Sequence, residues 1–578
     1  MSDALEGRDA EEIRALPAIG IDLGTSTSAI AILDEEGRPY LLPDDSGDVI
    51  VPSIVQAHEG ELIVGSVAKA GALTFHDKTA QEVKRLMGTG ETVKLGKRVM
   101  FPEEVSAQIL KHLKGCAEVR LGRNITDVVI TVPARFENAA REATKKAAEL
   151  AGLNVLRLIH EPTAAALTYG LANLRESQKI LVFDFGGGTL DVTVLEMFEG
   201  ILDVKTSVGD DKLGGKDIDE ILVNLIRDRY KDQSGKKLVA ASKDRKAAQM
   251  LKEEAERAKK LLSFEESVQI DLPYLTETGG VSFALTREEL DGHLEEMLMR
   301  AMSLTNEALA RARVRWDEID VVLPIGGSSR VPIFRRALEF ASGKPLQDRV
   351  NPDEAVALGA AIAAGIELET YSRQQKQLLV LDVSPHRLGI AAIKQVGPSQ
   401  FIDDYFSELI GKDAKLPAFS RREYKSLTDG GGEAVAIQVF EAAGDSNLCR
   451  DHRLVAELPL RSLSANMKDE KVQIDFSYTM DGTLEVIARY VSAPMVNVEG
   501  KFALETSSEK GPDWRTMPLA DLCAPLLDQA ARVEKEQPEI CQPIADAAGG
   551  LIRAIFQNDE DEVRRHLDTL TDALFEVV

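Results

Sequence analysis

Cysteine is scarce in this chain. Cys116, Cys449, Cys523 and Cys541 are the four in 578 residues, widely spaced and without a CxxC pair. Neither a disulfide framework nor a thiolate zinc site is indicated. Histidine is almost as sparse, with eight residues and none at metal-ligand spacing. The "HEP" at His160 lacks the second histidine of a zinc-protease helix. Positive charge is also short: 69 Lys and Arg against 95 Asp and Glu give a net charge of −26. Such a balance argues against nucleic acid or an anionic membrane as a main partner and suits a partner with a basic surface. No apolar run is long enough to span a bilayer; the longest helical one, "AVALGAAIAAGI" from Ala355, reads as a buried helix. The start, "MSDALEGRDAEEIRALP", is acidic and has no apolar signal-peptide core, so the cytoplasm is the expected compartment.

What is present is ordinary globular composition, 44% hydrophobic and 28% charged. The length calls for two to four domains. The most informative stretch is "ILVFDFGGGTLDVTVLE", Ile180 to Glu196. An apolar strand carrying Asp184 enters a triple-glycine turn, and a β-branched strand leaves it. A Walker loop or a dinucleotide fingerprint would instead open a helix, and there is no GK[ST] here. Three glycines permit positive φ and close approach of a ligand, and their amides can make an anion-binding concavity without a helix. A lone GGGT is read as readily as a ligand-free hairpin. The grammar recurs, however, in "AIGIDLGTSTSAIAILD", with Asp22 before Gly24, Thr25 and Ser26. Two such hairpins facing each other could grip a triphosphate, with Asp22 and Asp184 orienting Mg²⁺ through water.

Residues 1–17 read as an acidic tail. Strands alternate with helices from Ala18 to about Tyr371, an α/β pattern. Within it, "VVITVPARF" reads as a strand, "ENAAREATKKAAELAGL" as a helix, and Lys243–Ser263 as a long amphipathic helix. "IDVVLPIGGSSRVPIFRRALEF" reads as strand, glycine turn and helix, a third nucleotide contact at Gly326 and Gly327. "LLVLD", Leu378–Asp382, looks like a linker. Alternating runs to about Ser508 indicate a β-domain, with "MDGTLEV" a hairpin signature. From Pro512 leucines and isoleucines return to helical spacing, read as a small bundle.

The order of "IGIDLGTSTS", "LRLIHEPTAAALTYGL", "VFDFGGGTLDVTVLE", "GDDKLGGKDID", "ERAKKLLS", "IGGSSRVP" and "NPDEAVALGAAIAAG" resembles the 70-kDa heat-shock chaperones of the DnaK type. The likeness runs through the α/β region almost end to end, and more loosely beyond; the chain looks like a divergent, bacterial-type member. The resemblance implies a multidomain protein. An actin-like α/β ATPase of two lobes (18–372) is followed by a linker (373–382), a β-sandwich substrate domain (383–511) and a short helical lid (512–578). It implies ATP and ADP with Mg²⁺ and K⁺ as cofactors. Unfolded polypeptides, a J-domain co-chaperone and a nucleotide exchange factor would be its partners.

By the same resemblance Lys69 looks like the catalytic lysine. Glu161, Asp184, Thr189 and Asp191 would organise Mg²⁺, water and the γ-phosphate. Gly186, Gly187 and Gly188 join Asp22, Gly24, Thr25 and Ser26 around the phosphates. Glu256, Lys259, Ser263, Gly326, Gly327, Ser328, Arg330 and Asp353 match positions around the adenosine. Pro133, Arg141, Arg157, Leu379 and Asp382 match positions that relay nucleotide state. Ile393, Leu427 and Val435 align loosely with a peptide groove, though plain core packing explains three apolar residues equally well.

Departures are Thr27 and His160 for asparagines, Arg135 for tyrosine and Lys260 for an arginine near adenine. Pro324 is expected to interrupt its strand, and an insertion falls near Val396–Asp404. The helical end looks short for a full lid, and "ALFEVV" lacks an EEVD tail. An ATP-driven peptide-binding chaperone is the leading expectation. A nucleotide-dependent helper of another chaperone, such as an exchange factor, is the alternative. A sugar kinase or filament former on the same fold is disfavoured by the region after "LLVLD".

Overall fold

The computed structural model describes residues 17–503 except 35, 137, 174–176, 199–200, 237, 239–244, 277–278, 369, 371–378, 397–400, 426–433, 443, 445, 462–469 and 480–482, together with 565, 569 and 570. Two compact units divide the chain, 1–505 and 506–578. The tail, most of the expected linker, Leu427 and nearly all of the expected lid therefore lie outside the described residues. Among the described residues no helix is long and apolar enough to cross a membrane.

Two mixed sheets built on one plan carry the first part of the chain. In the first, β1 (Ile19–Leu23) and β2 (Thr27–Leu33) form an antiparallel hairpin. β3 (Pro39–Leu42) extends it beyond β2, and β4 (Asp127–Val132) and β5 (Asn154–His160) add in parallel beyond β1. In the second, β6 (Gln178–Phe185) and β7 (Leu190–Phe198) are the hairpin. β8 (Ile201–Asp210) follows β7, and β9 (Val321–Ile325) lies parallel to β6. The central strands of both are buried on both faces, which is why they read as continuous apolar runs. Pro324 does not interrupt its strand: β9 continues through it, with Pro324 paired to Phe183. The strand lies at the sheet edge, where a residue without an N–H is tolerated.

Helix α1 (Glu161–Ala172) follows β5, and α2 (Gly215–Ser234) and α3 (Arg245–Leu262) cover the second sheet. The apolar run from Ala355 is α4 (Ala355–Glu367), buried almost throughout. It passes so close to its neighbours that a Cβ on Gly359 would collide with the Ala164 carbonyl of α1, and one on Gly20 with the Ala361 amide. Small residues at these points let α4 wedge between β1 and α1, at the junction of the two sheets.

The end of the expected linker is a strand, β10 (Leu379–Leu381), added parallel to β8 at the edge of the second sheet. Beyond it lies a two-sheet β-domain. β11 (Arg387–Gln395), β12 (Phe401–Ile410), β14 (Ala434–Ala442) and β15 (Arg453–Arg461) make one sheet in the order β12-β11-β14-β15. β13 (Ala418–Lys425), β16 (Lys471–Tyr478), β17 (Thr483–Tyr490) and β18 (Asn497–Ala503) make the other. Their inner faces share a core that includes Ile390, Val439, Phe476 and Tyr490. Residues Phe401–Asp404 of the expected insertion continue β12, so the extra chain lengthens a hairpin. The β-domain touches the second α/β sheet through Lys415, which donates to the Asp203 carboxylate and the Val204 carbonyl, and through Thr206 with Asp413 at 2.9 Å.

His386, just past the linker strand, is buried, and its Nε2 has no hydrogen-bond partner. Glu441 lies 4.0 Å away but also faces Arg453 at 3.6 Å. Burial, reinforced by Arg135, Lys412 and Arg141, pushes the imidazole pKa down to about 3.

Two outcomes are expected from this architecture. Gly359→Ala should cost about 3 kcal/mol in chemical denaturation by forcing α4 off α1, whereas Gly115→Ala, on a helix with open space around it, should be neutral or slightly stabilising. His386 takes up a proton in the unfolded chain near pH 6.5 but in the folded one only near 3. Its neutral burial is therefore fully compatible with folding above pH 6.5 and works against folding as pH falls. Between pH 7 and 5 the native protein should lose up to about 2 kcal/mol more stability than His386→Gln, measured as urea midpoints across that range.

Candidate functional site

One cavity of about 520 Å³ gathers residues from both α/β sheets. Its floor is the pair of hairpin turns, Gly24–Ser26 between β1 and β2 and Gly186–Thr189 between β6 and β7. They face each other so closely that a Cβ on Gly187 would strike the Ser26 hydroxyl, and one on Gly188 would stand 3.0 Å from Thr25 Oγ1. None of Gly24, Gly186, Gly187 and Gly188 adopts positive φ. Of the two uses that these glycines permit, close approach is the one realised: they are small so that two turns can approach. Gly326, in the third turn, does take φ +75°.

Acidic side chains converge behind the turns. Asp22, at the end of β1, accepts from Thr131 Oγ1 at 2.7 Å, and burial followed by Glu161 raises its pKa to about 6. Asp184 and Asp191 stand opposite each other on β6 and β7. Burial, then Glu161, pushes Asp191 up to about 8; burial, then Glu161 and Asp191, drives Asp184 well above the carboxylate range. Glu161, the first residue of α1, accepts from Lys84 Nζ at 2.5 Å.

Lys84 is the cation paired with Glu161 in this group, its side chain 5% exposed, and the Arg135 guanidinium also acts on Asp191. Lys69, the expected catalytic lysine, lines the same cavity as the hairpin turns but stands outside this carboxylate group. It is 44% exposed and lies 3.3 Å from Glu256. It bridges to α3 instead of entering the carboxylate cluster. Sequence reasoning missed Lys84 because "EVKRLMG" carries no strand or helix period; a lysine set among Val83, Leu86 and Met87 was the available signal. It also missed Arg85, which donates to the Gly188 carbonyl at 2.8 Å and to Asp217 at 2.9 Å, and so braces the second turn.

The donor set fits a hydrated divalent cation. Four carboxylates face only Lys84 and Arg135, so that Asp184 and Asp191 are pushed toward their protonated forms, and Asp184 Oδ2 has no hydrogen-bond partner. Among the described residues no three such groups converge tightly enough to chelate an ion directly. An ion that keeps its water shell, as Mg²⁺ does, suits that spacing.

Away from the turns the wall is formed by α3 and the loop after β9. Glu256 is buried, yet Lys260, Lys216 and Lys69 hold its pKa down to about 2. Lys259 is depressed by burial and pairs with Asp219 at 2.7 Å. Ser263 donates to the Lys259 carbonyl and Ser328 to that of Gly186. Arg330 is held by Asp353 at 2.7 Å and Asn351 at 3.0 Å. All of the expected adenosine residues thus line this one cavity, Gly326 and Gly327 included.

The expected relay residues meet in part. Arg141 Nη1 lies 3.1 Å from His160 Nε2, and His160 Nδ1 lies 3.2 Å from Asp382 Oδ1. An arginine only donates, so Nε2 accepts and Nδ1 carries the proton given to Asp382. Asp382 is buried, but His160, the Val383 amide and Arg157 bring its pKa down to about 2. Arg157 itself pairs with Glu367 at 3.3 Å. Pro133 follows β4 and accepts from the Phe136 amide in a turn. Leu379 contributes its backbone to β10.

In the β-domain Ile393 is 49% exposed, whereas Val435 packs against the sandwich core. The β11–β14 ladder stops at Ile390 and Val439, although both strands run on. The ends that carry Ile393 and Val435 are therefore unpaired with each other.

Two glycine hairpins closing on a carboxylate-lined cavity, followed through an added strand by a β-sandwich, fit an ATPase domain with a second, β-sandwich domain. Residues 18–510 match the family model of the Hsp70 protein, and the chain belongs to that family. Its members are ATPases that use ATP, ADP and Mg²⁺ and act as chaperones on unfolded polypeptides together with co-chaperones. An ATPase domain plus a β-sandwich and a chaperone role follow for this chain.

Removing either cation tests the charge distribution directly. In the ligand-free protein Lys84→Met should cost about 3 kcal/mol, because it strands buried carboxylates. Lys69→Ala, at an exposed pair, should stay within about 1 kcal/mol. Thermal or urea denaturation without nucleotide reads both; equal effects would place the two lysines in equivalent surroundings.

Proposed function

We propose that this chain is an ATP-driven, peptide-binding chaperone in which hydrolysis between two actin-like lobes controls a groove in the β-domain. The observation that carries the reading is the continuity from Glu161 in the carboxylate cluster, through the adjacent His160, to Asp382 at the end of the docked linker strand. A shift of Glu161 when the γ-phosphate leaves would be felt one residue away at the linker. The undocked state would then free the β-domain from Asp203 and Thr206.

In this mechanism the hairpin amides hold the phosphates, and Thr25, Ser26 and Thr189 add hydroxyl donors. Asp22 and Asp184 take up the waters of the metal ion. Mg²⁺ with ATP would supply the charge neutralisation that phosphoryl transfer requires. Lys69 as the catalytic lysine, with Lys84 behind it, would contribute positive charge at the γ-phosphate end, and Glu161 and Asp191 would orient the attacking water and accept its proton. K⁺ is proposed as a second ion of the phosphate site.

For the β-domain we propose an extended apolar peptide lying where β11 and β14 part, recognised by backbone hydrogen bonds and by pockets near Ile393 and Val435. The proposed domain boundaries remain 18–372, 373–382 and 383–511, with 512–578 as a short lid. A J-domain co-chaperone would stimulate hydrolysis, and an exchange factor would release ADP. We further propose that it is a divergent, bacterial-type member working in the cytoplasm.

A stopped-flow measurement decides between this and the helper reading. A fluorescent apolar peptide bound to the ADP-loaded chain should leave at least about tenfold faster on mixing with Mg·ATP and K⁺. Lys69→Ala and Lys84→Ala should each slow single-turnover hydrolysis by about 100-fold or more, with Lys69→Ala keeping its affinity for ATP. Tight ATP binding with no peptide binding would establish the helper reading instead.

A further inference from the structure

At the end of the cavity away from the hairpins stands a side chain for which the fold itself has no use. Phe264 is 74% exposed. Its backbone is nevertheless fixed, because its amide donates to the Leu261 carbonyl at 2.9 Å and closes the last turn of α3. The ring lines the nucleotide cavity beside Lys260, Ser263, Gly327 and Arg330. It also forms part of a neighbouring hollow that includes Pro332 and Arg335. Phe264 is thus a partition at the mouth, wet in the ligand-free protein and favourably placed to be covered.

The polar groups nearby are already engaged. Ser263 Oγ donates to the Lys259 carbonyl at 3.1 Å and Ser328 Oγ to the Gly186 carbonyl at 2.8 Å. Arg330 is tied by Asp353 and Asn351, which fix the guanidinium while leaving the side chain partly exposed. This end of the site therefore offers flat surfaces more readily than free donors. A π-face and a guanidinium plane are what a nucleobase stacks on.

We propose that Phe264 is the base platform of the nucleotide site, holding the purine by stacking together with Arg330. The proposal rests on the reading of this cavity as an ATP site and adds how it tells a nucleotide from a bare polyphosphate. The hairpins grip any triphosphate chain; Phe264 rewards one that carries a base. Because every base presents a π-face, the platform by itself separates purines only weakly.

Calorimetric titration of the full chain with Mg·ADP and with Mg·tripolyphosphate tests this. Phe264→Ala should weaken ADP by on the order of tenfold and leave tripolyphosphate unchanged. Phe264→Trp should keep ADP affinity, and its indole emission should change with ADP but not with tripolyphosphate. Unaltered ADP affinity in Phe264→Ala, or a loss shared by tripolyphosphate, overturns the platform and leaves the ATP site standing. A wild-type chain that binds neither ligand removes the ATP reading and the platform with it. The exposed position makes both variants safe for folding.

Discussion

Buried negative charge at the meeting of two sheets is the constraint on which the rest of this molecule depends. Asp22, Glu161, Asp184 and Asp191 are brought together by four different elements, and among the described residues Lys84 and Arg135 answer them. Such a cluster is tolerable only while its carboxylates stay partly protonated or a cation is supplied. Ligand binding is therefore coupled to the packing of the two sheets. The backbone contacts of Gly20 and Gly359 with their neighbours keep that junction stiff.

The same cluster borders the contact with the β-domain. Glu161 opens α1, His160 ends β5, and Asp382 closes the linker strand, so three elements share one hydrogen-bonded corner. Lys415 and Thr206 secure the β-domain further along the second sheet. Each of these contacts is polar and small in area beside the cores on either side. The cores hold their shape while the connection between them can be exchanged, as a two-state coupling requires.

The hairpins were legible because they combine two strong local signals, apolar strands and glycine turns, and because they occur twice. The buried helix from Ala355 and the β-sandwich were legible for similar reasons of period. Lys84 was not legible because spacing along the chain does not tell which lysine reaches a carboxylate contributed by a segment 77 residues away. The glycines were legible as small residues that permit close approach, but not what they approach: the nearest obstacle to a side chain on Gly187 is Ser26, on the other sheet. Pro324 looked disruptive because edge position is a property of the assembled sheet. Ile393 and Val435 look alike in sequence, yet one lies open and the other joins the core.

The linker strand has a further consequence. While β10 is in place it caps the open side of β8 along Ile201–Asp203. Were it to leave, that row of amides and carbonyls would be bare, a template on which a strand from any neighbouring molecule could grow. Asp203, Lys205 and Glu196 are linked there in a run of alternating charge. This run acts as a gatekeeper, leaving the edge hospitable to its own returning segment and inhospitable to apolar strangers. A protein whose work exposes it to unfolded chains has particular need of such a guard.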